Sequence, residues 1–163
     1  MRHEEDDAEI ILVEPLAPIV KPGEYWAVVT AVKRVMRFGH AVAQFRFKVV
    51  TMGPAYGIRL NGYCTLPHKK KARVPAGSKF GSWTRTLTAF TGCSPSRISL
   101  GAFRNFWFTV KVETVTRNHR QQALNPRDQY SVVSDIVDVV GKVSELPPNN
   151  DQPTSHPQDE DAS

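Results

Sequence analysis

Apolar and polar residues alternate strictly through the middle of the chain, and that alternation predicts strands. Ala41, Ala43, Phe45, Phe47 and Val49 are interleaved with Gln44, Arg46 and Lys48, a period of two that gives a strand one buried face and would scatter the same residues around a helix. Ile58, Leu60, Cys64 and Leu66 repeat the pattern, with Arg59, Asn61, Tyr63 and Thr65 facing the other way. Gly62 falls on the apolar side and predicts a bend or bulge. The preceding strand, Tyr25 to about Met36, is apolar on both faces at Trp26, Val28, Val29 and Val32 and turns basic at Lys33, Arg34 and Arg37, as suits a closed or two-layer sheet. A fourth strand sets Phe106, Phe108, Val110 and Val112 against Trp107, Thr109, Lys111 and Glu113, and Tyr130 to Val140 reads as a fifth.

One segment has a different period. Phe80, Trp83, Leu87 and Phe90 recur at helical spacing between Ser78, a suitable N-cap, and Gly92, a suitable stop, which predicts an amphipathic helix over Ser78 to Phe90. Its threonines and Gly81 lower its intrinsic propensity, so its stability must come from packing on the sheet. Pro22-Gly23 signals the turn that starts the first strand. Gly39-His40 predicts a hairpin with Gly39 as first residue of a II′ turn and Arg37, Phe38 and His40 at the tip. Ser94-Pro95 predicts one further short turn. The inward set should include Val28, Phe45, Phe47, Leu60, Leu87, Phe108, Val110 and Ile136.

With 163 residues and 40% hydrophobic content, the chain can bury one domain's core. The pattern places it in residues 21–142. Residues 1–20 form an acidic N-terminal arm with an apolar patch at Ile10 to Val13, and residues 143–163 are an acidic, Pro- and Asn-rich tail too poor in apolar surface to order itself. No apolar run approaches the roughly 20 residues of a membrane span, and the acidic start is unlike a secretory signal, so a soluble cytoplasmic protein is expected. Cys64 and Cys93 make neither a disulfide framework nor a zinc site.

The net charge of +5 conceals an asymmetry. Each terminal segment carries −5, so residues 21–142 carry +15, with only Glu24, Glu113, Asp128, Asp135 and Asp138 among 20 Lys and Arg. A small domain so unbalanced calls for a polyanion or for its own acidic tails. Three strands, a helix and two strands is the chain order of the OB-fold, a five-stranded barrel that binds oligonucleotides on the face of strands 2 and 3 and the loops joining strands 1–2 and 4–5. Those places hold Arg46, Lys48, Arg59 and Tyr63 on the face, Arg34, Arg37, Phe38 and His40 in the first loop, and Arg117, His119, Arg120 and Arg127 in the second. Lys69, Lys70, Lys71 and Arg73 follow strand 3. Spaced cations track phosphates, and exposed rings stack on unpaired bases; Tyr63, Phe38, Tyr56 and Trp107 are the candidate rings.

Residues 21–142 resemble the OB-fold single-stranded-DNA-binding proteins of phages, plasmids and integrative elements. The resemblance rests on Pro22-Gly23-Glu24-Tyr25, Phe45-Arg46-Phe47-Lys48-Val49-Val50, Gly53-Pro54-Ala55-Tyr56-Gly57, the helix, and Tyr130-Ser131-Val132-Val133. It implies a non-catalytic role in replication or recombination of a mobile element, with single-stranded DNA as partner and no cofactor or metal. The chain closes on Asp159-Glu160-Asp161-Ala162-Ser163 and so lacks the terminal Phe through which the housekeeping members recruit repair enzymes. RNA binding, an interaction or inhibitor module gripping an acidic protein, a homo-oligomer and a partner for the acidic tail all stay open. Catalysis finds no support: no phosphate loop follows a strand, the histidines lack ligand spacing, and Asp135 and Asp138, an odd number apart, should face opposite ways.

The tail generates a prediction of its own. A flexible segment of about twenty residues spans roughly 25 Å and reaches a nearby groove at about millimolar effective concentration. Deleting residues 143–163 should therefore tighten oligonucleotide binding most at low salt, with the gain shrinking as screening increases. An unchanged dissociation constant at both of two salt concentrations would reduce the tail to a solubility device.

Overall fold

The computed structural model describes residues 19–69, 72–94 and 97–144. Strands β1 (Gly23–Arg37), β2 (His40–Val49) and β3 (Arg59–Thr65) form a meander, followed by helix α1 (Lys79–Thr91), a 3-10 segment (Leu100–Asn105), β4 (Phe106–Val115), a short turn (Pro126–Asp128) and β5 (Tyr130–Lys142). Within the sheet the order is β1-β2-β3-β5-β4, and β4 pairs back onto β1, so the strands close into a ring. Every pair is antiparallel except β3 with β5, which are parallel and share one registered pair, Asn61 opposite Val132. The chain is thus mainly β with one α-helix. The N-terminal arm before Ile19, the tail from Glu145, and Pro95 of the turn expected at Ser94-Pro95 lie outside the described residues.

Alternation decides which side chains enter the ring. Ala41, Ala43, Phe45, Phe47 and Val49 of β2 and Leu60 and Cys64 of β3 are all buried, while Arg46 and Arg59 are exposed. In β1 the pairing with β2 shifts between Val29 and Ala31. Tyr25, Ala27 and Val29 therefore join the core before the bulge, and Val32 packs against it afterwards. Val28, expected inside, belongs to the other face and is only half-buried, because a single inserted residue reverses the parity of a strand.

Bulges also reshape β5. Val112, Val110 and Phe108, two apart on β4, pair with Val133, Ile136 and Val139, three apart on β5. The buried period of β5 is three. Asp135 and Asp138, expected on opposite faces, accordingly lie opposite Lys111 and Thr109 and are both exposed. Repeated bulges add twist and bend, which is what a ring of only five strands requires.

Helix α1 begins where Ser78 Oγ accepts the Gly81 N–H and ends where Gly92 takes φ 74 and donates to the Thr88 carbonyl. Trp83 is completely buried, and its Nε1 donates to Asp135 Oδ1 at 2.8 Å. The indole meets Phe45 edge-on at 5.1 Å, and Phe45 meets Phe103 the same way at 5.0 Å. Gly62 is neither bent nor bulged; it pairs in register with Phe45, and a Cβ there would stand 3.0 Å from the Phe47 ring and 3.3 Å from that of Trp83. Its missing side chain is the seat of the indole. Phe90 stays exposed, touching Phe106 edge-on. The 3-10 segment that carries buried Phe103 has no counterpart in the sequence pattern, since six residues with one fully buried side chain are too short to establish a period. Burial pushes the Cys64 thiol up to about 12, with Lys79 opposing and Asp135 reinforcing the shift, so it is held as the neutral thiol. Cys93 is exposed, and neither cysteine is in a disulfide.

Gly81 shows which of two opposed effects wins. Alanine is favoured over glycine by about 1 kcal/mol inside a helix, yet a Cβ on Gly81 would stand 2.4 Å from the Pro75 carbonyl oxygen and 2.7 Å from that of Ala76. Gly81→Ala should lower unfolding free energy in urea by about 1–3 kcal/mol, the range for an overpacked site. Unchanged or raised stability would mean that the Pro75–Ala76 turn yields freely.

Candidate nucleic-acid interface

Strand register orders the outer face of β2 and β3 into three rows. Val28, Lys48 and Arg59 form the first, Ala31, Arg46 and Asn61 the second, and Lys33, Gln44 and Tyr63 the third. Lys48 and Arg59 are directly opposed, and no acid stands in any row. Like charges in direct cross-strand opposition destabilise a sheet. Among the described residues the one ion pair joins Lys111 to Glu113 on β4 at 3.4 Å, so the cations of this face have no acidic partner among them. Lys33, unassigned in the sequence reading, joins them.

The β1–β2 hairpin differs from expectation. Its two loop residues are Phe38 and Gly39, at φ 51 and φ 76, and His40 already opens β2. Two positive φ values make a type I′ turn, which matches the twist of the flanking strands and favours Asn or Gly. A bulky residue there is strained by about 1–3 kcal/mol. The Phe38 ring is nevertheless 61% exposed.

That ring is one rung of a ladder. Arg37 Cζ lies 3.8 Å from the centre of Tyr63 and 5.2 Å from that of Phe38, and Phe38 stacks on His119 with centroids 4.4 Å apart and planes 20° from parallel. Arg37 Nη2 is also 3.5 Å from the Tyr130 hydroxyl. Tyr63, Arg37, Phe38 and His119 thereby tie β3, the hairpin tip and the β4–β5 loop together. The loop is shaped by Asn118, whose Oδ1 accepts the N–H groups of Arg120 and Gln122. Arg117 donates to the Gln121 carbonyl at 2.9 Å and so braces the loop, while Arg120 and Arg127 stay exposed.

Other predicted site residues go elsewhere. Arg34 stands opposite Ala43, on the core side of the bulged strand, and donates to the Pro67 and His68 carbonyls, pinning the chain where it leaves β3. His40 is exposed beside His68, ring centroids 6.0 Å apart. Lys69 and Arg73 are exposed, and Lys70 and Lys71 lie outside the described residues. Tyr56 projects from the β2–β3 loop. Trp107 is on β4 between Val28 and Gly141, not on the β2–β3 face, and its Nε1 is buried without a partner among the described residues. Asn61 and Tyr130, which the sequence reading did not select, flank a cleft between β3 and β5. Asn61 was visible in the alternation; Tyr130 comes near only because β5 lies beside β3.

Among the described residues no group of three or more His, Cys, Asp or Glu is placed to hold a metal ion. Comparison of the chain with protein-family models, curated proteins and solved structures found no match in any of the three.

The strained Phe38 separates stability from binding. Phe38→Asn suits the I′ turn, so its urea midpoint should stay level or rise, by up to about 1 kcal/mol of unfolding free energy. A clear loss of stability would show that the ring is a structural staple.

Proposed function

We propose that this protein binds single-stranded DNA, without catalysis, along the outer face of β2 and β3 between the β1–β2 hairpin and the β4–β5 loop. The observation that carries the reading is Lys48 directly opposite Arg59, with Arg46 in the next row and no acid in register. A sheet tolerates such opposition when an external anion neutralises it, and a phosphate chain supplies one charge per nucleotide. The five-stranded ring with its helix between β3 and β4 supports an OB-fold assignment, in which this face is the oligonucleotide site. Exposed Phe38 adds a stacking surface, a feature suited to unpaired bases and of no use to a closed duplex. Tyr63 serves differently from the expectation, since Arg37 covers one face of its ring; the pair presents a planar cation. Together with the sequence resemblance, these features support a role in the replication or recombination of a mobile element, in the cytoplasm.

The opposed cations give the reading a test with two opposite signs. Lys48→Gln removes a like-charge opposition, so thermal stability at low salt should rise by the equivalent of about 0.2–1 kcal/mol. The same change should weaken binding to a fluorescent oligothymidylate by anisotropy and reduce the salt slope by about 0.7, the value of one single-strand phosphate contact. Undiminished affinity in Lys48→Gln, or no binding by the parent protein, would sink the proposal.

A further inference from the structure

Two tryptophans are covered on the side of the sheet that faces away from the core. Tyr25, Ala27 and Val29 point inward from β1, so Trp26 and Val28 point outward, and β4 turns Trp107 and Thr109 the same way beside them. Trp26 is 3% exposed and yet lies outside the core cluster. Trp107 is half-buried, with its Nε1 fully buried and without a partner among the described residues. Neighbours on one sheet can close off the edges of an indole but leave a face bare, so burial this complete needs a second layer. The described elements that could form one lie elsewhere: helix α1 packs on β3 and β5, and the 3-10 segment beside β1 sends Phe103 into the core.

We propose that the outer face of β1 and β4 at Trp26, Val28 and Trp107 is the seat of the chain's own N-terminal arm, with Ile10 to Val13 laid across the two indoles. The described chain begins at Ile19 beside that face, since the Val20 N–H donates to Ser131 Oγ and Ser131 stands opposite Thr114 of β4. From Thr114 to Trp107 is about 24 Å of strand at ~3.4 Å per residue, and the stretch from Ile19 back to Ile10 extends to about 30 Å. Pro15 and Pro18 favour that extended form. The arm offers four consecutive aliphatic residues, whereas residues 145–163 hold Leu146 as their one large aliphatic side chain. Glu9 and Glu14 bracket the apolar run, and the face is bordered by Lys48, opposite Val28, and by Lys111, opposite Glu24. A buried indole N–H without an acceptor is costly, and an extended segment crossing the sheet brings backbone carbonyls within reach of Trp107. The seat does not depend on nucleic-acid binding.

The test uses the full-length protein. Of its three tryptophans Trp83 is enclosed in the core, so acrylamide quenching of fluorescence reports on Trp26 and Trp107. Replacing Ile10, Ile11, Leu12 and Val13 together by Ser should shift the emission to longer wavelength and raise the quenchable fraction towards two-thirds, two indoles of three. Leu146→Ser in the tail should change neither. An arm variant that simply unfolds would expose Trp83 too and lose its far-ultraviolet circular dichroism, so a second measurement leaves the rest of the arm intact. A p-benzoylphenylalanine at position 11, activated by light, should attach within the same chain to Trp26, Val28 or Trp107. Unchanged quenching in a folded arm variant, exposure of the indoles by Leu146→Ser instead, or cross-links confined to other residues overturns the seat.

Discussion

The seating of Trp83 against Gly62 is the contact on which the rest of the structure depends. The indole joins α1 to β2 through Phe45 and Phe47, to β3 through the space left by Gly62, and to β5 through Asp135. A buried indole N–H without an acceptor would be costly, and the exposed Asp135 carboxylate supplies one at the edge of the core. Helix and ring are therefore interdependent. A helix rich in threonine holds because its largest ring is enclosed, and β3 and β5, joined by one registered pair, are held near each other by a residue that belongs to neither.

Curvature then positions the outer face. The β1 bulge and the three-residue repeat of β5 are the local means by which five strands close on themselves, and closure brings the hairpin at Phe38 within stacking distance of His119 in a loop eighty residues later in the chain. The strained φ of Phe38 fits this picture. A turn chosen for stability would carry Asn or Gly; this one holds an aromatic ring outward, stacked on the His119 imidazole and with the Arg37 guanidinium 5.2 Å from its centre.

Electrostatics sets the face against the fold. Lys48 and Arg59 repel across the strand pair, and Arg46 and Lys33 add to the same field, while acids are concentrated in the terminal segments of the sequence. The opposed pair lowers stability by a few tenths of a kilocalorie per mole or more, on the order of other cross-strand pairs, small beside the burial of the Phe and Trp rings. The core can thus carry a surface whose own cations repel one another, and that repulsion weakens as salt screens it.

Strand identity, the helix with both its caps, and the basic side of β2 and β3 were legible in the sequence by itself, because they follow from local periodicity and from residues such as Ser78 and Gly92 whose chemistry acts within a turn. What only the tertiary structure decided comes from bulges and ring closure. One inserted residue in β1 sent Val28 outward and Arg34 to the core side, and the repeat of three in β5 put Asp135 and Asp138 on the same side. Gly62 read as a bend or bulge and is instead the seat of Trp83, a contact between residues twenty-one positions apart. The stacking of Phe38 on His119 and the cleft joining Asn61 to Tyr130 likewise depend on which strands meet when the ring closes. Periodicity specifies which side of a strand is buried only while its parity holds, and parity is a local property that a single bulge resets; the partner across a closed ring is set by the packing of the whole core.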